Sequence, residues 1–142
     1  MGKRPEVVDK LSQETGLPVV NILDKDVYEH YVTSPDEFLW AIEHAKLLYT
    51  DSFHGTVFSI LFRTPFVVCN RIGSAVEEKM GSRIDTLLGY FGLEARRGTK
   101  NNGYAIAEPL DVPDWSQVDE VLARERKRSD EYLRQALKVD EV

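Results

Sequence analysis

Segments with a helical hydrophobic period alternate with short apolar runs along this chain. The clearest helix start is at Ser34, where Ser34 and Glu37 form a capping-box pattern and Pro35 suits the first helical position. The hydrophobic period predicts helices over residues 5–15, 34–45, 55–63, 82–92 and 114–138. Apolar runs without that period predict buried strands over residues 17–23, 46–51 and 65–69.

The order of these elements predicts an α/β fold. Alternating helices and buried strands favour a mainly parallel sheet with helices on both faces, which is a Rossmann-like three-layer sandwich. The pair Asn102-Gly103 is typical of a hairpin turn, although its flanking apolar runs are weak. With 142 residues the chain is expected to form a single domain over 1–142. Because it begins with a helix, we expect that a first strand is lost or that the chain is cut from a longer protein.

Charge and composition exclude several classes of function. The net charge of −6 and the lack of a basic stripe disfavour nucleic-acid binding, which requires cations opposite phosphates. No apolar run approaches the roughly 20 residues that span a bilayer, and the N-terminus has no signal-peptide core, so a cytoplasmic location is expected. Cys69 lies in the apolar stretch PFVVCN and is expected to be buried rather than nucleophilic. No CxxC, HExxH, GxGxxG or P-loop motif occurs, so neither a metal nor a dinucleotide cofactor is predicted.

The stretch TDSFHG, residues 50–55, is the main candidate for a ligand site. It joins the predicted strand that ends near Asp51 to a helix expected to begin around Gly55. In parallel sheets such a junction lies at the ligand-binding edge. The backbone N–H groups of Gly55, Thr56 and Val57 would there face a phosphate or carboxylate, and His54 could donate a hydrogen bond or move a proton.

Structural explanations compete with each of these assignments. Asp51 or Ser52 would serve equally well as the helix N-cap, and His54 would serve as a structural histidine. His30 and His44 receive no functional assignment.

The stretch SPDEFLWAIEHAKLLYTDSFHGTVFSILFRTPF closely resembles the signature of the polysaccharide pyruvyl transferase family. The resemblance continues through SRIDTLLGYFGLEARR and on to SDEYLRQAL in the terminal helix. It implies the C-terminal half of a two-domain enzyme that looks like a GT-B glycosyltransferase. The N-terminal domain is then expected to be absent from this chain, and one end of the terminal helix to lack its packing partner.

The resemblance implies transfer of pyruvate from phosphoenolpyruvate to two hydroxyls of a surface-polysaccharide sugar, forming a cyclic ketal without a further cofactor. By resemblance, His54 contacts phosphoenolpyruvate and handles a proton, while the amides after Gly55 hold its phosphate or carboxylate. Arg71 and Arg83 are bidentate anion partners or, alternatively, members of surface salt bridges. Some family members have an arginine where this chain has Ser52, so the donor is a less direct inference than the fold.

Two other functions remain open at this level. One is a glycosyltransferase-like domain that uses a nucleotide-sugar, and the other is a non-catalytic remnant that binds a partner or forms a homodimer. The expected partners of the pyruvyl transferase are phosphoenolpyruvate, a glycan or lipid-linked sugar acceptor, and the missing N-terminal domain. The isolated chain is expected to be inactive, because the acceptor would lie between two domains.

Overall fold

The computed structural model describes residues 5–22, 24–70, 77–99, 103 and 105–138, with the side chains of residues 77–80 outside that description. The helices are α1 (Glu6–Thr15), α2 (Tyr28–Tyr31), α3 (Pro35–His44), α4 (Phe53–Phe62), α5 (Glu77–Phe91) and α6 (Trp115–Leu137), with a 3-10 turn at Glu94–Arg96. The strands are β1 (Leu48–Thr50), β2 (Phe66–Cys69) and β3 (Arg97–Gly98).

The three strands form one parallel sheet in the order β1-β2-β3. Leu48 is paired with Phe66, and Val68 with Arg97. The predicted α/β class with a parallel sheet is therefore confirmed, and its topology is compatible with a Rossmann-like fold.

The central strand β2 organises the hydrophobic core. All its residues are buried, and Phe66 and Val68 form one cluster with apolar side chains of three helices. Those side chains are Ile60 of α4, Ile84 and Leu88 of α5, and Val118 of α6. Each fully buried side chain of this kind contributes about 1.5–3 kcal/mol by leaving water. The core therefore fixes α4 and α5 beside each other on one face of the sheet.

The strand predicted over residues 17–23 is wrong for its described part, residues 17–22, which contain no strand. Side chains of α1 occupy the backbone groups of Leu17 that would pair with a neighbouring strand. The Ser12 hydroxyl donates to the carbonyl of Leu17, and the Thr15 hydroxyl oxygen accepts the N–H of Leu17. Pro18 has no N–H to donate. Val20, in the same segment, is 62% exposed instead of buried.

Several helix boundaries follow local capping chemistry. The capping box of Ser34 and Glu37 is confirmed at the start of α3, and Asp114 caps α6 by accepting from the N–H groups of Ser116 and Gln117.

α5 begins at Glu77, earlier than the predicted residue 82. Asn102 lies outside the described residues, so the hairpin at this point stays a prediction.

The second half of α6 has an unusually open environment. Every residue from 126 to 138 is exposed, including the large apolar side chains of Tyr132, Leu133 and Leu137. The first half is different, since Val118 and Val121 are buried. Only the first half of α6 therefore contributes to the core that the structure describes.

Candidate functional site

The junction between β1 and α4 is built around Ser52. The hydroxyl oxygen of Thr50 accepts the N–H of Ser52 at 3.0 Å, and the hydroxyl oxygen of Ser52 accepts the N–H of Gly55 at 3.2 Å. Ser52 is therefore the N-cap of α4, as one of the two sequence interpretations held. Its hydroxyl hydrogen is not needed for the cap.

The predicted helix start around Gly55 is wrong, because α4 begins two residues earlier at Phe53. The amide of Gly55 donates to the Ser52 hydroxyl, and the amide of Thr56 donates to the Ser52 carbonyl at 3.0 Å. Both amides are thus occupied by the cap and the helix. The first-turn N–H groups without an intrahelical acceptor are those of Phe53 and His54.

Gly55 is required here by packing against β1. A Cβ at Gly55 would lie 2.8 Å from the hydroxyl oxygen of Thr50, closer than side chains normally approach. Gly55 and Thr56 are also buried, and the Thr56 hydroxyl donates to the Ser52 carbonyl. The structure thus gives Gly55 and Thr56 a structural role at the junction, while their assignment as ligand contacts stays a prediction.

His54 lies at the exposed surface of the first turn of α4. Its ring meets that of Phe53 edge to face, with the centroids 6.0 Å apart. Among the residues that the structure describes, the imidazole has no hydrogen-bond partner. An exposed ring in this position is accessible to a ligand, and the alternative of a structural histidine whose nitrogens are hydrogen-bonded has no support among the described residues.

The side chain of Arg83, from α5, lies next to the first turn of α4. Its guanidinium carbon is 4.5 Å from the centroid of the Phe53 ring, a cation–π contact at the first residue of α4. No carboxylate of the described chain forms an ion pair with Arg83, so the surface salt bridge considered for it is not observed there. Arg71, the other predicted anion partner, lies outside the described residues.

A second arginine near the sheet edge was missed by the sequence analysis. Arg97 forms an ion pair with Asp85 at 2.8 Å and donates to the side-chain oxygen of Asn70 just after β2. Its side chain is only 14% exposed. Arg97 directly follows Arg96 in the sequence, and no motif marks either residue. Only the tertiary structure shows that Arg97 is the arginine that pairs with Asp85.

Cys69, the last residue of β2, is buried next to the end of β1. Burial raises the pKa of the Cys69 thiol, and the charge of Asp51 raises it further. The thiol donates to the carbonyl of Thr50 at 3.7 Å. A buried thiol with a raised pKa is a poor nucleophile, which agrees with the interpretation of Cys69 as a packing residue.

No group of three or more histidine, cysteine, aspartate or glutamate side chains in the described ranges is arranged to hold a metal ion. Within the same ranges, none of the helices combines the length and the apolar character needed to span a membrane.

Together these elements define an α/β protein with a cationic, partly aromatic junction at the carboxyl end of β1. The model of the polysaccharide pyruvyl transferase family matches residues 6–72, which run from the start of α1 through β2. The resemblance inferred from the sequence is confirmed over this range, and its extension to later residues stays a prediction. No curated protein and no solved structure matches the chain.

Proposed function

We propose that this chain is the donor-binding half of a polysaccharide pyruvyl transferase and that phosphoenolpyruvate binds at the β1–α4 junction. The family supports pyruvyl transfer in general terms, and one structural observation supports this location. The Arg83 guanidinium lies over Phe53 at the N-terminus of α4, beside the exposed His54. A cation and a helix N-terminus thereby face the same solvent-accessible place.

The anionic groups of phosphoenolpyruvate suit this junction. The N–H groups of Phe53 and His54 point out of the first turn, where the helix dipole favours negative charge. Arg83 presents a planar fork that pairs with two oxygens of a phosphate or carboxylate. The contact with Phe53 holds the guanidinium in place before the ligand arrives, which lowers the entropy lost on binding.

His54 is proposed to handle the proton of the reaction. A proton is added to the CH2 carbon of the enol, and C2 becomes cationic. A sugar hydroxyl oxygen bonds to C2, the bond from C2 to the phosphate oxygen breaks, and a second hydroxyl oxygen closes the ketal. Each of the two hydroxyls loses one proton. One of these protons replaces the one that was added to the CH2 carbon, and the other leaves with the phosphate. An imidazole suits either transfer near neutral pH.

Ser52 is compatible with this donor in spite of its departure from the arginine of some members. Its oxygen is committed to the Gly55 amide, and its hydroxyl hydrogen remains able to donate to a ligand oxygen. We propose that Arg83, arriving from α5, supplies the positive charge that Ser52 lacks. The same proposal makes the chain the C-terminal half of a GT-B-like enzyme that acts in the cytoplasm on a glycan or lipid-linked sugar.

A titration with phosphoenolpyruvate tests the proposal. The ring signals of His54 are expected to move, while those of His30 and His44 stay in place. Arg83→Gln is expected to weaken binding about tenfold or more, because a charge-assisted pair is lost. Arg128→Gln, which removes an exposed arginine from the second half of α6, is the matched control.

Three results would contradict the proposal. The first is a folded chain whose His54 signals stay unchanged at millimolar phosphoenolpyruvate. The second is equal weakening by Arg83→Gln and Arg128→Gln, which would indicate non-specific attraction. The third is a response to a nucleoside diphosphate but not to phosphoenolpyruvate, which would favour the glycosyltransferase-like alternative.

A further inference from the structure

An open groove lies directly beside the proposed donor site. The half-buried side chains of Phe53, Leu87 and Phe91 form its floor, and the exposed residues Ser82, Arg83, Thr86 and Tyr90 line its rim. We call it the α5 groove. Its volume is about 370 Å³, near the lower end of the range for small-molecule sites.

The floor of the α5 groove is held by the core. Phe53, Leu87 and Phe91 are half-buried and pack against the central hydrophobic cluster. Tyr90, on the rim, is 50% exposed, and its ring centroid is 6.4 Å from that of Phe91. The aromatic surface is therefore preformed at its floor, and a ligand there would not have to order it.

The lining of the groove combines two kinds of chemistry. The faces of aromatic rings carry partial negative charge and attract weakly positive C–H groups. The rim adds the Arg83 guanidinium, a donor only, and the hydroxyls of Thr86 and Tyr90. Thr86 already donates to the carbonyl of Ser82 at 2.8 Å, so its oxygen is left to accept. A hydrocarbon chain has no counterpart for these polar groups, whereas a pyranose ring has a C–H face and a rim of hydroxyls.

We propose that the α5 groove binds a pyranose ring of the acceptor, with its C–H face on the aromatic floor and its hydroxyls toward Arg83 and Thr86. The inference rests on the proposed function, since Phe53 is shared by the groove and the donor site. The ring of Phe53 contacts His54 on one side and Arg83 on another. A sugar in the groove would thus present a hydroxyl next to the group that handles the proton.

The test is a titration of the chain with methyl β-D-glucopyranoside and methyl β-D-galactopyranoside, followed by backbone and aromatic NMR signals. Shifts are expected at Phe53, Leu87, Tyr90 and Phe91, with at least one glycoside binding at concentrations up to about 0.1 M. Tyr90→Ala is expected to weaken that binding about fivefold, and Tyr90→Phe to keep most of it. Tyr132→Ala removes an exposed tyrosine from α6 and is the matched control.

The outcomes separate this inference from the donor proposal. If His54 responds to phosphoenolpyruvate but neither glycoside moves the groove signals, the groove assignment fails and the donor site stands. If the glycosides move the groove but phosphoenolpyruvate leaves His54 unchanged, the donor proposal fails. Equal losses in Tyr90→Ala and Tyr132→Ala overturn the groove, as does a response to 1-butanol alone, which would indicate an apolar occupant. Tyr90→Ala is also expected to leave the phosphoenolpyruvate response of His54 unchanged.

Discussion

Replacing Gly55 by alanine tests how closely α4 packs against β1. The new Cβ would lie 2.8 Å from the hydroxyl oxygen of Thr50 and 3.4 Å from the Cβ of Ser52. The Thr50 hydroxyl cannot simply rotate away, because it accepts the N–H of Ser52. Moving it would disturb the residue that caps α4. The substitution therefore acts on the whole junction and not only on one contact.

Three contributions determine how much Gly55→Ala changes the free energy of unfolding. Overpacking of a core position costs about 1–3 kcal/mol, and loss of the hydrogen bond to Ser52 adds about 1 kcal/mol. Alanine is favoured over glycine in a helix by at most about 1 kcal/mol. The expected net loss of unfolding free energy for Gly55→Ala is thus about 2 kcal/mol, which lowers the Tm by about 4–8 °C for a domain of this size.

Gly89→Ala is the matched control in α5. Its Cβ would meet only the Glu94 side chain at 3.7 Å, an ordinary contact distance. The same substitution should therefore stabilise the chain by about 0.5–1 kcal/mol through helix propensity. Both free energies would be measured by urea unfolding followed by circular dichroism.

A double-mutant cycle isolates the contact. Thr50→Ala removes the hydroxyl oxygen, so Gly55→Ala should cost about 1 kcal/mol less in that background than in the wild-type chain. The reasoning is refuted if Gly55→Ala is as stable as the wild type, or if its cost is the same with and without the Thr50 hydroxyl.

Three further predictions follow from buried or hydrogen-bonded groups. Arg96 is buried and donates to the carbonyls of Glu108, Pro109 and Asp111, so Arg96→Met should cost about 2–3 kcal/mol and speed amide hydrogen exchange over residues 105–111. The hydrogen bond from the Ser34 N–H, followed by that from its hydroxyl, holds the pKa of Glu37 below its usual 4.5, so the capping contribution is present above that value and is lost as the pH falls; Glu37→Gln should flatten the stability profile between about pH 6 and pH 3. Because burial raises the pKa of Cys69, its labelling by a thiol reagent at about pH 8 should be limited by opening of the fold and become fast in denaturant.

Each of these three has an outcome that contradicts it. Unchanged exchange over residues 105–111 in Arg96→Met would show that the loop is held by other contacts. Parallel acid profiles for the wild type and Glu37→Gln would remove the carboxylate from the cap. Complete labelling of Cys69 on mixing, in a chain that circular dichroism shows to be folded, would contradict its burial.

The elements that the sequence predicted correctly are those with local causes. The α3 capping box needs only Ser34 and Glu37 at the right spacing, and β2 is apolar at each position because helices and neighbouring strands enclose it. The strand over residues 17–23 failed because its apolar run says nothing about the side chains of α1 that take its backbone groups. A strand forms only where a neighbouring strand pairs with it, and an apolar run in the sequence does not show whether such a neighbour is present.

The candidate site was only partly predictable for a related reason. The TDSFHG junction could be located, since a strand end and a helix start are local features. Its first helical residue was missed because Gly55 resembles a start, while the hydroxyl of Ser52 makes the cap. The contact between Arg83 and Phe53 and the ion pair of Arg97 with Asp85 join separate elements. They depend on how α5 is placed against the sheet, which no short pattern encodes.

The exposed half of α6 has a consequence for how the molecule moves in solution. At a rise of about 1.5 Å per residue, the exposed residues 126–137 extend over about 18 Å of helix axis. A helix of that length outside the core makes rotational diffusion anisotropic, since turning it end over end meets more friction from water than spinning it about its axis. Relaxation rates of its amides, compared with those of α4 and α5, would then report the angle between α6 and the other two helices without any ligand or label.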